Sequence, residues 1–355
     1  MRQALSVVVG AVALLGAATG VGRAEIAFGD TSTRTIALSN SYAGNIWRRA
    51  MLESWAEAAD EAKRAGLVAD APALTTSENT AQAQAAQIAQ LVEAGAAAIV
   101  VDAAPGSGLA EAVAAACAKG VVVVSFDSTV SEPCAWQLTM DFTGLGRRQV
   151  EWLARRLTGP VRVLEVRGIA GTPVDPLIAE GVEAGLRATG GRLRRVGTVY
   201  GDWTQAVARR EVTRVLPELG AVDAVVTQGG DGLGVIEAFV AAGRDLPVVI
   251  LGNRRAELDW WAARRAEIPY ETLSISIPPS VVQIAFWTAQ QILAGATVPR
   301  QMTLPLLEVQ AETLEAARAR TPEGGLTRNR FSQAWTADWL TAQRERTTLP
   351  LVPDP

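Results

Sequence analysis

Short β-branched runs alternate with helical stretches along most of the chain, and this alternation constrains the fold more than any other feature. The runs predicted as strands are Thr35–Ser39, Ala97–Asp102, Val121–Phe126, Val161–Val166, Val196–Tyr200, Ala224–Gln228, Val248–Gly252 and Leu273–Ile277. Helical periodicity falls between them, over residues 46–65, 80–94, 107–119, 144–158, 175–189, 204–219, 232–242, 255–266 and 280–295. This spacing is typical of βα units with parallel strands covered on both faces. The sequence therefore predicts a doubly wound α/β fold, with ligand chemistry where strands end and helices begin.

The number of these units predicts more than one lobe. The chain has 355 residues, of which 49% are hydrophobic and 20% are charged, so it can bury a large core. Single cores stop growing near roughly 250–300 residues, and about nine βα units exceed one comfortable sheet. Two similar doubly wound lobes are the more natural arrangement.

Composition removes most enzyme classes. The chain contains no histidine, which excludes Ser-His-Asp and Cys-His catalysis and every zinc site that uses imidazole. Two cysteines cannot build a four-cysteine zinc or iron–sulfur site, so no cofactor is predicted. Only Lys63 and Lys119 are available for lysine chemistry. The net charge of −4 argues against a nucleic-acid partner, which calls for a basic patch.

The first 24 residues have the pattern of an export signal. Met1-Arg2 precedes an apolar run over Leu5–Val21, which ends at the small-residue site Gly22-Arg23-Ala24. A membrane anchor is the alternative, but the run is rich in Ala and Gly and shorter than a bilayer span of about 20 residues. We therefore predict a signal peptide over residues 1–24, cleavage after Ala24 and a periplasmic protein.

Export changes the interpretation of the two cysteines. Cys117 lies late in an Ala-rich helical stretch, and Cys134 lies in the loop beyond the next strand. Exported proteins keep disulfides, so the sequence favours a Cys117–Cys134 bridge over two buried free thiols.

Polar and aromatic residues collect near the carboxyl ends of the predicted strands. The candidate ligand contacts are Asn40, Tyr42, Asn45, Trp47, Arg48, Asp127, Asp141, Trp203, Gln228, Asp231, Asn253 and Arg254. Carboxylates and amides accept hydrogen bonds from hydroxyls, Arg donates to oxygens, and Trp packs on C–H faces. Such a set favours a ligand with many hydroxyl groups. The local alternatives stay open: the loop after the first strand alone is a cap and turn, and Asp127 is either a cap or a ligand acceptor.

At these residues the chain resembles the sugar-type periplasmic solute-binding proteins of ABC transporters, the ribose- and galactofuranose-binding relatives. The similar stretches are 36–39 leading to Trp47-Arg48, 124–127, 165–172, 201–203, 224–228 and 250–253, within a resemblance that runs over roughly 34–310. The resemblance implies the type I periplasmic binding fold, two Rossmann-like lobes joined by three hinge strands. It places lobe 1 at 25–139 plus 277–305 and lobe 2 at 140–276 plus 306–312. Residues 313–355 are then an extension packed on a lobe.

The resemblance also implies roles for individual residues. Trp47 and Arg48 match the helix-start pair that contacts sugar in galactofuranose-type relatives. Asp127 falls at the position of a carboxylate that accepts bonds from sugar hydroxyls. Trp203 falls at an aromatic position of the cleft, and Asn253 replaces a usual Asp.

The chain departs from the family pattern at several binding positions. Ser128 stands where an Arg commonly follows Asp127, and no Arg follows Gly171-Thr172. The usual Gln-Asn-Asp is replaced by Gln228-Gly229-Gly230-Asp231, and Ser276 stands near a hinge position that is Gln in ribose-binding relatives. The predicted ligand is therefore a sugar or polyol other than ribose. An anionic sugar is disfavoured, although Arg48 and Arg254 keep it open.

The predicted function is delivery of this ligand, by a monomeric receptor that closes at its hinge, to a membrane ABC permease. A receptor that serves a membrane sensor kinase or chemoreceptor is an alternative that the sequence does not separate from transport. A secreted glycosidase using paired acids such as Asp127 and Asp231 is a further alternative. Sugar-responsive repressors share these lobes, but they need an N-terminal helix-turn-helix where this chain has an export signal.

Overall fold

A computed structural model describes residues 25–105, 108–304, 306–345 and 347 of the chain. The predicted signal peptide, residues 1–24, lies outside the described residues. In the part of the chain that is described, none of the helices has both the length and the apolar character that crossing a bilayer requires.

The described chain alternates strands and helices. The strands are β1 (Ile36–Asn40), β2 (Ala73–Thr75), β3 (Ala98–Asp102), β4 (Val122–Phe126), β5 (Trp136–Met140), β6 (Val161–Arg167), β7 (Leu193–Tyr200), β8 (Ala224–Val226), β9 (Val248–Val249), β10 (Ser274–Ser276), β11 (Gln301–Leu304) and β12 (Leu307–Val309). The helices are α1 (Ile46–Arg64), α2 (Ala81–Glu93), α3 (Ala110–Ala118), α4 (Phe142–Arg156), α5 (Val174–Ala188), α6 (Gln205–Val215), α7 (Gly232–Ala241), α8 (Arg255–Glu267), α9 (Val281–Leu293), α10 (Leu314–Arg320) and α11 (Gln333–Glu345).

The larger sheet has six parallel strands in the order β11-β5-β4-β3-β1-β2. Successive side chains of a strand point to opposite faces, so both faces need cover. Leu38 of β1 belongs to the core under α1 and α9, which includes Trp55 and Phe286. Its neighbour Ala37 belongs to the opposite core, under α2 and α3, with Ile88. Burial on both faces explains the continuous apolar runs that predicted these strands.

The smaller sheet has four parallel strands in the order β7-β6-β8-β9. Val225 packs on the side of α6, α7 and α8, with Phe239 and Trp261. Its neighbour Val226 packs on the opposite side, which includes Leu153 of α4 and Ile178 of α5. Each sheet is thus doubly wound, as the sequence predicts.

The chain passes three times between the larger sheet and the part of the molecule that holds the smaller sheet and the two-stranded sheet β10-β12. It leaves β5 for α4, it leaves β10 for α9, and it runs from β11 to β12. β10 and β12 pair with each other in antiparallel register, and Ser274 also bridges to Leu251 beyond β9. The predicted lobes, 25–139 plus 277–305 and 140–276 plus 306–312, remain a prediction, which these crossings support.

Cys117 at the end of α3 and Cys134 before β5 form a disulfide, with their Cα atoms 6.3 Å apart. The bridge ties the loop between β4 and β5 to α3. That loop carries Asp127 and Ser128.

The C-terminal extension contacts the helices of both sheets rather than those of one. Arg318 of α10 pairs with Asp259 of α8, beside the smaller sheet. Trp335 and Trp339 of α11 join the core that contains α9, beside the larger sheet. The prediction of an extension on one lobe missed this, because helical periodicity shows that a helix has a buried face but not where that face packs.

Candidate functional site

A cavity of about 290 Å³ lies between the carboxyl-end loops of the two sheets. This volume is near the lower end of the roughly 300–1,000 Å³ that is typical of small-molecule sites. Of the predicted ligand contacts, the cavity is lined by Tyr42, Asn45, Trp47, Arg48, Asp127, Trp203, Gln228, Asn253 and Arg254. Asn40, Asp141 and Asp231 are not among the lining residues.

The start of α1 supplies the first wall of this cavity, which we call the cleft. Asn45 is the N-cap, and its Oδ1 accepts a hydrogen bond from the Arg48 amide at 2.8 Å. The indole Nε1 of Trp47 donates to the carbonyl of Ile277 at 3.0 Å, just beyond β10. This bond leaves the ring face of Trp47 as the part of the side chain that can contact a ligand.

Arg48 is held from behind by two buried residues. Its Nη1 donates to Oδ1 of Asn40 at 2.7 Å and forms an ion pair with Asp102. Asn40 in turn donates to the carbonyl of Tyr42 at 2.8 Å. Asn40 therefore positions Arg48 and Tyr42 through these hydrogen bonds. It does not line the cleft itself, because it is fully buried at the end of β1.

Asp102 was missed by the sequence analysis, although it ends β3 at the same sheet edge as Asn40. Its side chain is fully buried. Burial raises the pKa of Asp102 well above its usual range, and the positive charge of Arg48 opposes this rise. The Arg48 guanidinium is thus paired with a buried acid.

Asp127 follows β4 directly and lines the cleft. Its backbone is in the left-handed region, with φ of +54°, which Asp tolerates better than most residues. The next element along the chain is β5, so Asp127 does not cap a helix. Burial raises the pKa of its carboxyl, and Arg48 opposes the rise.

The second wall carries Trp203. Asp202 and Trp203 both have φ of +52°, and this strained turn presents the indole to the cleft. Nη2 of Arg254 donates to the Trp203 carbonyl at 3.0 Å, which fixes the turn. Burial lowers the pKa of Arg254, and the nearby acids Glu257 and Asp231 oppose this.

Gln228 lines the same wall. Its Nε2 donates to Oδ1 of Asp175 at 2.9 Å and to the Asp175 carbonyl at 3.1 Å. Asp175 is itself held by Arg167, at 2.6 Å from Nη2 to Oδ2. The amide orientation leaves Oε1 of Gln228 buried and without a hydrogen-bond partner in the described part of the chain. Oγ of Ser276 is also buried and also lacks a partner there.

Asp231 turns away from the cleft, contrary to the predicted contact. Gly229 and Gly230 line the cleft with φ of +94° and +84°, and this turn directs Asp231 inward to a fully buried position. Burial and the neighbouring Glu257 raise the pKa of Asp231 well above its usual range. Neither of its carboxylate oxygens has a hydrogen-bond partner among the described residues.

Asp141 is also placed outside the cleft. It is exposed and caps α4, with Oδ1 accepting from the Gly144 amide at 2.7 Å. The position after β5 suits a cap equally well, and the sequence signal does not separate the two roles.

Asn253 lines the cleft, but its amide is already used. Nδ2 of Asn253 donates to the carbonyl of Thr327 at 3.1 Å, in the C-terminal extension. Only its Oδ1 is free for a ligand.

Several lining residues were not among the predicted contacts. These include Asn79, Ser128, Thr172, Ser276 and Leu326. Asn79 follows β2, a strand that the sequence analysis missed, and Leu326 comes from the extension. Ser128 and Ser276 were noted as departures but not as contacts. In the described residues, no cluster of three or more His, Cys, Asp or Glu side chains is arranged to hold a metal ion.

Comparison with known families agrees with this architecture. The family model described as a periplasmic binding protein domain matches residues 36–297. The chain belongs to the periplasmic binding protein family. Its two doubly wound sheets with three crossings are the type I fold of that family.

Solved and curated relatives extend the comparison. An ABC transporter solute-binding protein from Thermobispora bispora is 28% identical with a TM-score of 0.82, over 91% of this chain and 99% of that chain. A protein from Mycobacterium smegmatis in complex with β-D-fucofuranose is 21% identical with a TM-score of 0.69, over 87% and 98%, and shows the fold alone. A xylitol-binding protein from Mycolicibacterium smegmatis is 25% identical over 178 residues, which is 49% of this chain and 51% of that protein. The chain thus spans about half the length of this curated relative.

Proposed function

We propose that this periplasmic binding protein is the solute receptor of an ABC transporter, and that it binds a neutral sugar or polyol between its lobes. The observation that carries the proposal is the distribution of groups around the cleft. Trp47 and Trp203 line the cleft together with Asp127, Gln228 and Ser276, so the lining combines indole rings with carboxylate, amide and hydroxyl groups. A polyhydroxylated ligand has C–H groups that pack on indole rings and hydroxyl groups that donate hydrogen bonds to protein oxygens, so this lining suits such a ligand.

The charges around the cleft favour a neutral ligand. Arg48 is paired with Asp102, and Arg254 lies near Asp231 and Glu257. Each cation of the lining therefore has a buried acid behind it, and Asp127 adds a further carboxylate at the surface of the cleft. The Asp127 carboxylate would repel an anionic sugar on the wall that Arg48 lines.

The relatives support the same ligand class. One is a xylitol-binding protein, and the structure from Mycobacterium smegmatis holds β-D-fucofuranose. Xylitol is a polyol and fucofuranose is a neutral sugar, so both present hydroxyl groups without charge.

The mechanism follows from the two walls. A ligand that contacts both lobes stabilises the closed form relative to the open form, because only closure makes both sets of contacts at once. Trp47, Arg48 and Asp127 act from the lobe of the larger sheet, and Trp203 and Gln228 act from the other lobe. The closed form is the state that the membrane permease recognises.

The proposal is for a binding protein and not for a glycosidase. A glycosidase of the kind considered above needs two acids that face the scissile bond. Asp127 lines the cleft, but Asp231 is buried behind the Gly229-Gly230 turn. Incubation of the protein with its bound sugar is expected to release no reducing ends.

The proposed cellular setting is the periplasm. Export by cleavage after Ala24 is expected to give a mature chain that begins at Glu25, which N-terminal sequencing of secreted protein checks. The mature protein is expected to be a monomer in solution, measured by light scattering during size-exclusion chromatography.

A thermal-shift screen of the mature protein against pentoses, hexoses and C4–C6 polyols tests the proposed ligand class. A ligand at 100 times its dissociation constant adds about 2.7 kcal/mol to the free energy of unfolding, which gives a measurable shift. Sugar acids of matched size serve as the charged controls. Stabilisation by a neutral compound and none by its acid supports the proposal, and stabilisation by the acids alone contradicts it.

A further inference from the structure

Leu326 is a cleft residue contributed by the C-terminal extension, a part of the chain beyond both the family match and the last crossing between the sheets. It is only 3% exposed. Most other lining residues come from loops at the carboxyl ends of strands, whereas Leu326 comes from the coil between α10 and α11.

The extension is anchored beside the smaller sheet immediately before and after Leu326. The backbone of Leu326 bridges Arg254 in antiparallel register, and the Arg255 amide donates to the Gly325 carbonyl at 2.9 Å. The Thr327 amide donates to the Asn253 carbonyl at 2.9 Å, and Nδ2 of Asn253 donates back to the Thr327 carbonyl. Residues 325–327 therefore pair through their backbone, in the manner of an antiparallel strand, with the loop that bears Asn253 and Arg254.

The same segment is anchored beside the larger sheet within five residues. The Phe331 amide donates to Oε1 of Gln283 at 2.9 Å, and Nε1 of Trp287 donates to the Phe331 carbonyl at 3.0 Å. Arg328 pairs with Glu53 and Glu57 of α1. Anchors on both sides leave Leu326 little freedom to move out of the cleft.

We infer that the C-terminal extension completes the ligand-binding cleft, and that Leu326 is a specificity-determining residue that limits the size of the ligand. The inference rests on the proposed function. A fixed aliphatic side chain offers no hydrogen bond, so it must pack against C–H groups or exclude atoms that would occupy its place. One methylene of misfit in an apolar pocket changes affinity by about 10–200-fold, so Leu326 can discriminate between ligands that differ by one carbon.

Isothermal titration of Leu326→Ala and Leu326→Phe tests this inference. The ligands are the compound that binds the wild type best and its homologues with one carbon more and one carbon fewer. Leu326→Ala is expected to weaken binding of the best ligand by about tenfold or more and to reduce discrimination against the longer homologue. Leu326→Phe is expected to exclude the longer homologue further, and Leu326→Met to keep the wild-type ranking because it conserves volume.

Leu340→Ala is the matched control, because Leu340 is a similarly buried leucine of the same extension that belongs to the core under α11. It is expected to lower the melting temperature while leaving each dissociation constant within about twofold. Leu326 variants that keep the wild-type constants and ranking would overturn the inference while leaving the proposed function intact. A wild-type protein that binds no sugar or polyol would instead refute the proposed function, and this inference with it.

Discussion

The indole of Trp203 lies so close to Gly168 that a β-carbon at residue 168 would stand 2.2 Å from its Cε2 atom. Real Cβ atoms do not approach other atoms so closely, so the position of Trp203 depends on the absence of a side chain at Gly168. Gly168 follows β6 directly, where the Gly168 amide also donates to Asp175 at 3.2 Å. The Trp203 ring can thus occupy its place in the wall of the cleft only because residue 168 is glycine.

Gly168→Ala is expected to displace Trp203 and to weaken ligand binding by about 2–13-fold, since an aromatic contact of this kind is worth about 0.5–1.5 kcal/mol beyond its buried area. Titration calorimetry measures the dissociation constant. The control is Gly220→Ala, where an added β-carbon meets no atom within 4 Å. If Gly168→Ala and Gly220→Ala bind the ligand with equal affinity, Trp203 does not contribute to ligand binding.

Asp127→Asn is expected to weaken binding by about 10–150-fold, because hydrogen bonds to charged groups contribute about 1.5–3 kcal/mol. Asn tolerates the left-handed backbone of residue 127, so the unliganded melting temperature should stay within a few degrees. Asp141→Asn is the control, since Asp141 caps α4 outside the cleft. A variant at residue 127 that keeps the wild-type thermal shift would exclude its carboxylate from the site.

The sequence predicted the main strands and helices well because they are buried on both faces. β3 and β4 are completely buried, and burial on both faces explains their nearly continuous apolar runs. The strands that were missed are β2, β5, β11 and β12, and they carry a weaker signal. β5 lies between β11 and β4 and alternates buried and half-buried positions. β2 is a three-residue edge strand with no fully buried residue, and β11 alternates exposed and buried positions at the opposite edge. Such strands depend on a partner that the local sequence does not reveal.

The sequence predicted which loops form the candidate site, but it did not predict which of their side chains point into the cleft. Residues at the carboxyl ends of parallel strands converge, which brought Arg48, Asp127, Trp203 and Gln228 around one cleft. Whether a side chain in such a loop points in or out depends on backbone angles, as the two left-handed glycines before Asp231 show. Leu326 could not be assigned, because its contact with the cleft depends on pairing with a residue 72 positions earlier, Arg254.

The pH dependence of stability tests the burial of Asp231. An Asp carboxyl titrates at about 3.9 in an unfolded chain, and burial raises the pKa of Asp231 well above this in the folded protein. The folded state therefore holds the proton more tightly, and this contribution to stability is present below about pH 4 and lost as the pH rises through the folded pKa.

Asp231→Asn is expected to raise the melting temperature by a few degrees at pH 7–8, because Asn has no proton to lose on unfolding, whereas ionisation of Asp231 in the unfolded chain favours unfolding of the wild type. The gain should disappear below about pH 4, where both proteins are uncharged at this position. Asp245→Asn, a change of an exposed acid in the same lobe, is the control. A melting temperature that falls in Asp231→Asn at neutral pH would indicate that the carboxylate is stabilised by contacts other than those described.

The disulfide between Cys117 and Cys134 spans 17 positions in the sequence. Closing a loop of this size stabilises the folded state by about 3 kcal/mol. The Cys117→Ser/Cys134→Ser double variant is therefore expected to unfold at lower denaturant concentration than the wild type, and reduction of the wild type should have a similar effect. Titration of two free thiols in unfolded, unreduced wild-type protein would contradict the bridge.

The central claim is that a neutral polyhydroxylated ligand closes two lobes around itself. Small-angle X-ray scattering of the mature protein, with and without the best neutral sugar or polyol from the screen, measures this directly. We predict that the ligand decreases the radius of gyration at concentrations that match its calorimetric dissociation constant, and that Gly168→Ala requires more ligand for the same decrease. A ligand that binds with stoichiometry of one and leaves the radius of gyration unchanged would contradict the closure mechanism.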